Sequence, residues 1–327
     1  MRYAPALLAL AACLSAGLVR ARDSITPDGI TPDQLPPATL KACGSTIDAV
    51  FAPGPLDLDR ANILHWIQTS ADSVATYYGR FLVAHTTVRI IPSPGRRGVG
   101  RGETWGFPTV HHRVDLGQHT TAADLDDDWE MTHEFVHTAF PDLEDSHHWI
   151  EEGIAVYVEP ITRVQHGTLQ QDQVWADMIR NMPKGEPHSG DHGLDQTHSW
   201  ASTYWGGALF FLAADVAIRE HTANHKGLQD ALRAIALVKT IDSHGTPEEA
   251  FAIGDRAVGG SVLETMYADM RDKPVAIDLN ALWQKLGVRA AGANTVRYDD
   301  TAPDAAIRKA IFQRQPGCGA QVVPVSR

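Results

Sequence analysis

No run of lysines or arginines stands out in this chain, where 28 Lys and Arg face 40 Asp and Glu for a formal net charge of −12. That balance weighs against nucleic acid and anionic membrane surfaces as partners, since both reward clustered positive charge. Internal repeats and low-complexity tracts are lacking, and beyond the N-terminus no second long apolar run is seen. Nothing therefore marks a repeat array or a multi-span membrane protein. Cysteine is scarce, with three in 327 residues. What is present is ordinary for a globular chain: 43% hydrophobic and 21% charged residues, enough for one large or two small domains with a real core.

The first residues, "MRYAPALLALAACLSAGLVRA", have the layout of a secretory signal over 1–21. Arg2 supplies the positive start, Ala4 to Leu18 the apolar stretch, and Val19-Arg20-Ala21 a cleavage site. "LAAC" resembles a bacterial lipoprotein box ending in Cys13, so membrane attachment is expected only if Cys13 is lipidated. Removal of the signal leaves Cys43 and Cys318, and in an exported (periplasmic or secreted) protein that even pair predicts one disulfide tying the chain ends.

Residues 22–57, rich in Pro, Asp, Thr and Gly, read as an irregular lead-in. Helical spacing at Ile63, Trp66, Ile67 and Val74 follows, and then "TTVRIIP" and "PTVHHRVDLG" read as strands on either side of a turn-rich connection. After them the pattern is mostly helical, over 124–139, 147–158, 168–181, 199–221, 225–239, 260–271, 278–286 and 304–313. Strands first and helices later predict an α+β fold, a small mixed sheet followed by a mostly helical lobe.

The chemistry begins at "MTHEFVHTAF", where His133, Glu134 and His137 stand in the order H-E-x-x-H. Positions i and i+4 share one helix face, so the two imidazoles can aim at one zinc ion while Glu134 projects beside them. A catalytic zinc takes three protein ligands and keeps one position open, so a third ligand is required. The next helix, "HHWIEEGIAVYVEP", offers Glu152, and Glu159 lies seven residues on, near the same face. Carboxylates in so apolar a helix are costly unless paired or metal-bound. A surface helix with its glutamates in water is the plainer reading of that segment taken alone.

"WIEEGIAVYVE" resembles the W-L-x-E-G-x-A-x-Y-x-E segment of gluzincin aminopeptidases of the aminopeptidase N type, which follows their own H-E-x-x-H. The resemblance implies His133, His137 and Glu152 as ligands of one zinc, Glu134 as general base, and Glu159 as a carboxylate orienting a ligating histidine. "GRGETWGF" is similar to the family's G-x-M-E-N-W-G edge strand, with Gly102 in place of Met and Thr104 in place of Asn. That similarity implies Glu103 as the residue holding the substrate's free α-amino group. "STYWGGALFFLAAD" resembles the family's Y-x-K-G helix start, with Gly206 where Lys is usual, and implies Tyr204 as donor to the tetrahedral oxyanion.

The resemblance covers about residues 98 to 290 and implies a thermolysin-like catalytic unit. It divides the chain into signal (1–21), lead-in (22–57), catalytic domain (58–290) and a C-terminal extension (291–327) packed on the domain. The fourteen residues between His137 and Glu152 make a shorter connection than that of aminopeptidase N. The expected function is zinc-dependent cleavage of peptides or proteins at free N-termini. Two rivals stay open: an endopeptidase using the same site without amine recognition, and a non-catalytic zinc-bearing domain that binds peptides. His147 and His148 beside the second motif, and His188, His192 and His198 in a polar loop, are candidates for a second ion or for the site entrance, or simply solvated.

Overall fold

The alternating patterns around "TTVRIIP" and "HHRVDLG" become neighbouring parallel strands inside a five-stranded sheet. The computed structural model describes residues 34–318; the signal segment and Cys13 lie outside them. Strands β1 (Ala38–Ala42), β2 (Ser45–Phe51), helix α1 (Arg60–Tyr78), and strands β3 (His85–Ser93), β4 (Val99–Trp105) and β5 (His111–Gly117) come first. The strand order is β1-β2-β3-β5-β4, parallel at β2/β3 and β3/β5 and antiparallel at both margins. Alternation decides the faces. Ile47, Ala49, Val88, Ile90, Val114 and Leu116 are fully buried on one side, each Val, Ile or Leu side chain worth about 1.5–3 kcal/mol of transfer energy.

The rest is helical apart from one small hairpin. Helices α2 (Ala122–Asp126), α3 (Glu130–His137), α4 (His148–His166), α5 (Gln171–Asn181), α6 (Gly207–His221), α7 (Leu228–Val238), α8 (Pro247–Val258), α9 (Val262–Met270) and α10 (Leu279–Leu286) come in turn. The strand pair β6 (Val288–Ala290) and β7 (Val296–Tyr298) and the helix α11 (Ala305–Ile311) complete the described chain. The mixed sheet followed by a helical lobe agrees with the sequence expectation at the level of architecture.

Four local readings are corrected. The segment read as an irregular lead-in holds β1 and β2, a hairpin turning at Cys43 and Gly44, both at positive φ (48° and 92°). The single helix expected over 124–139 is two, α2 ending at Asp126 and α3 starting at Glu130, with Asp128 capping the second. Its carboxylate accepts from the backbone N–H groups of Glu130 (3.2 Å) and Met131 (3.1 Å), filling donors a helix start leaves open. Helix α8 was not anticipated, although Thr246 accepts from Glu249 N–H at its start and Pro247 follows directly. Lastly, Ala201–His221 is long and apolar enough to cross a membrane by composition, but 61% of its apolar window is buried inside the protein.

Two packing details place the site. The Trp66 indole N–H donates to Asp128 at 2.9 Å, fixing the start of α3 against α1. Helices α4 and α6 meet at glycines: a Cβ on Gly153 would lie 2.5 Å from Gly207 Cα, and one on Gly207 only 2.3 Å from the Trp149 carbonyl oxygen. Only glycine permits that backbone approach. It brings the π-helical turn Ala201–Gly206, which precedes α6, close to the ligand-bearing turn of α4.

Candidate metal centre and active site

Helix α3 presents His133 and His137 one turn apart, and α4 brings Glu152 to meet them. His133 Nε2 is 3.1 Å and His137 Nε2 3.8 Å from Glu152 Oε2, and all three ligand atoms lie within 4.8 Å of one another. Ligand bonds of about 2.0–2.2 Å around a tetrahedral zinc require separations of that order. Two imidazole nitrogens and one carboxylate oxygen are also the donor set zinc favours, so the residues fit the ion. Burial would raise the Glu152 carboxyl, but His137, His133 and His148 outweigh it and hold it well below the usual carboxylate range. His148 Nε2 lies 3.2 Å from the other oxygen, Oε1, leaving Oε2 to the metal side.

The cluster lies in an open cleft of about 680 Å³ between β4, α3, the start of α4 and the Tyr204 turn. Glu134 lines it and is not one of the three converging ligands. Burial pushes the Glu134 carboxyl up to about 7; Glu130 and Glu152 add to the rise, while His137 and Thr104 oppose it. Tyr204 lines the cleft half-buried, its ring stacked on Trp200 at 5.8 Å. Burial and the nearby Glu152 raise its hydroxyl well above the ordinary tyrosine value, so it remains a proton donor. Trp105, Phe107 and Trp129 are exposed at the rim.

Strand alternation explains how the edge strand is used. Gly102 and Thr104 face α3. A Cβ on Gly102 would sit 2.5 Å from Glu134 Oε1, so a larger side chain there would displace the Glu134 carboxylate. Thr104 Oγ1 lies 2.5 Å from Glu134 Oε2. Glu103 also borders the cleft, but it pairs with Arg101 and lies 3.6 Å from Arg113 Nη1. The carboxylate that sequence reasoning missed is Glu130, which accepts from Gly102 N–H at 2.6 Å and lines the cleft. Burial pushes it up to about 7 against that hydrogen bond. Its position one turn before Glu134 was the available signal.

Glu159 does not meet a histidine. It accepts from Arg163 Nη1 at 3.2 Å, and burial pushes its carboxyl up to about 7 despite that partner. Seven residues carry it about 10 Å along α4, past the ligand turn. His188, His192 and His198 do not line the cleft, and among the described residues the His133, His137 and Glu152 group is the one arrangement suited to a metal.

No family model and no curated protein matches the sequence. Solved structures do. An aminopeptidase N family protein from Idiomarina loihiensis is similar at 14% identity and a TM-score of 0.56, over 77% of this chain and 49% of that one. The fold is similar to that of the matching half of this aminopeptidase N family protein. An M1 zinc metallopeptidase from Deinococcus radiodurans is 13% identical over 74% of this chain and 52% of its own, with a TM-score of 0.48. A mutant M1 zinc metallopeptidase from the same organism, bound to a Tyr-Ser-Ala substrate, matches with the same score and identity over 74% and 53%. The chain spans about half the length of these proteins. On the aminopeptidase N-like fold, the metal-suited cluster and Tyr204 come from three separate helical segments, α3, α4 and the turn before α6.

Proposed function

We propose that this protein is a zinc-dependent peptidase. The observation that carries the reading is the convergence of His133, His137 and Glu152 beside a carboxylate, Glu134, that is left out of the ligand set in an open cleft. A purely structural zinc site is closed and has no use for such a group, which argues against a non-catalytic binding domain. A zinc ion held by the three ligands supplies Lewis acidity toward a carbonyl and a water. Glu134 accepts the proton of the attacking water and returns it to the leaving amine. Tyr204 donates its hydroxyl to the developing oxyanion. The open rim with its aromatic side chains suits a peptide, and the net charge of −12 disfavours nucleic acid. The Cys43–Cys318 disulfide suits an exported protein.

The finer reading is an aminopeptidase. A substrate ammonium brought beside the metal needs an anionic partner, and Glu103 and Glu130 are the carboxylates bordering the cleft outside the ligand and base roles and near β4. The pairing of Glu103 with Arg101 and Arg113 favours a second reading, an endopeptidase with the same centre. A matched panel of free and N-acetylated peptides tests both. Loss of cleavage on acetylation supports the aminopeptidase, and equal rates establish the endopeptidase. Glu134→Gln should retain zinc and lose about 10²–10⁴-fold in kcat. A variant that keeps full activity overturns Glu134 as the general base, and a zinc-loaded wild type that cleaves no peptide overturns the peptidase reading.

A further inference from the structure

The β4–β5 register sets Thr104 opposite His112. Thr104 Oγ1 has three polar neighbours: His112 Nδ1 at 2.8 Å, Glu134 Oε2 at 2.5 Å and the Glu134 carbonyl oxygen at 3.0 Å. A threonine hydroxyl has one proton to give. Both Glu134 atoms accept when the carboxylate is ionised, so the proton goes to Glu134 and His112 Nδ1–H must supply the hydrogen bond to Oγ1. The far side of the ring agrees. His112 is fully buried against Phe135, and its Nε2 has no partner among the described residues, so a proton there would be left unpaired. Burial, with His137 adding, pushes the His112 ring down to about 3, so it remains neutral.

We propose that His112 and Thr104 form a hydrogen-bonded relay that positions the Glu134 carboxylate. Its direction is Nδ1–H to Oγ1, then Oγ1–H to Oε2. The relay ties Oε2 and leaves Oε1, under Gly102, to meet the water. Thr104 stands where the similar edge strand has Asn, and His112 belongs to the neighbouring strand, so the device is built from the sheet behind the base. Both are positioning residues, since they act through Glu134. The kinetic consequence rests on the peptidase reading, whereas the polarity of the relay does not.

Nitrogen-15 NMR of the histidine rings in the purified full-length protein, with His112 assigned by its loss in His112→Gln, reads the polarity directly. The expected form is Nδ1–H with a bare Nε2. Thr104→Val keeps the shape of the side chain and removes the hydroxyl, so the His112 signals should change and kcat should fall about tenfold to a hundredfold. KM should stay within about twofold and zinc content should be unchanged, as for an interaction made in the transition state. Thr104→Ser should restore both the ring signals and kcat. An Nε2–H ring in the wild type, or wild-type kcat in Thr104→Val, overturns the relay. Should the wild type cleave no peptide at all, the peptidase reading fails and the ring tautomer alone decides the relay.

Discussion

Two of the buried carboxylates at α4, Asp215 and Glu152, are satisfied in opposite ways. Asp215, on α6, accepts from the Tyr157 hydroxyl at 2.9 Å, Arg219 Nε at 2.8 Å and Leu228 N–H at 2.8 Å. Every neighbour brings a proton, and the network closes on itself. Glu152, on α4, meets the Nε2 atoms of His133 and His137, which present a proton or a lone pair according to the ring tautomer. That cluster needs a positive charge at its centre, and its composition suits a metal. The first arrangement is spent on stability, whereas the second holds convergent ligand atoms ready for an ion. Burial alone does not distinguish them; the kind of neighbour does.

The largest effect expected is on the closed network. Asp215→Ala leaves the Arg219 guanidinium buried without its counter-charge, which should cost about 3–5 kcal/mol in urea unfolding. Glu152→Ala should abolish zinc binding while leaving the zinc-free protein nearly as stable as the zinc-free wild type. Equal destabilisation by the two substitutions would break the comparison and make the cleft cluster structural.

Tyr204 offers a sharper test, because it lines the open cleft beside Glu152. Tyr204→Phe should lower kcat about a hundredfold to a thousandfold with little change in KM. Zinc content and the urea midpoint should not move. A variant with normal kcat would assign the oxyanion to another donor, with His148, which lines the cleft beside Glu152, a candidate.

The two kinds of cluster were unequally legible in the sequence. His133 and His137 could be read because i, i+4 spacing is local and helical geometry fixes its outcome. Glu152 required the pattern of a whole second segment, since the distance across α3 and α4 depends on how the helices pack. Glu103 was placed on the right strand, but its pairing with Arg101 and Arg113 follows from alternation and from a neighbour ten residues away. Thr104 and His112 meet only through the β4–β5 register, which no motif encodes. In "STIDAVF" the period-two pattern was present, buried at every second position, yet the Pro- and Gly-rich surroundings suggested a loop. The approach of Gly153 to Gly207 likewise became visible only with the helices packed.

The smallest effect belongs to a third region, the disulfide joining Cys43 to Cys318 across 275 positions. Cys43 lies in the β1–β2 turn, and β1 is the sheet margin opposite the cleft-lining β4. The chain-entropy model gives about 5–6 kcal/mol for so long a loop, whereas disulfides typically deliver about 2–4 kcal/mol. The C-terminal segment is also held without it: Cys318 N–H donates to the Gly79 carbonyl at 3.1 Å, and Arg233 donates to Gln315 at 3.1 Å. Reduction should therefore remove less than the full loop-closure value, and a paired Cys43→Ser, Cys318→Ser variant should fold with a lower urea midpoint. Because the bridge and the metal cluster are separated by the width of the sheet, zinc content and kcat should be unchanged. Loss of zinc on reduction would show that the two margins of the sheet are coupled, and titration of two free thiols in the denatured native protein would remove the bridge itself.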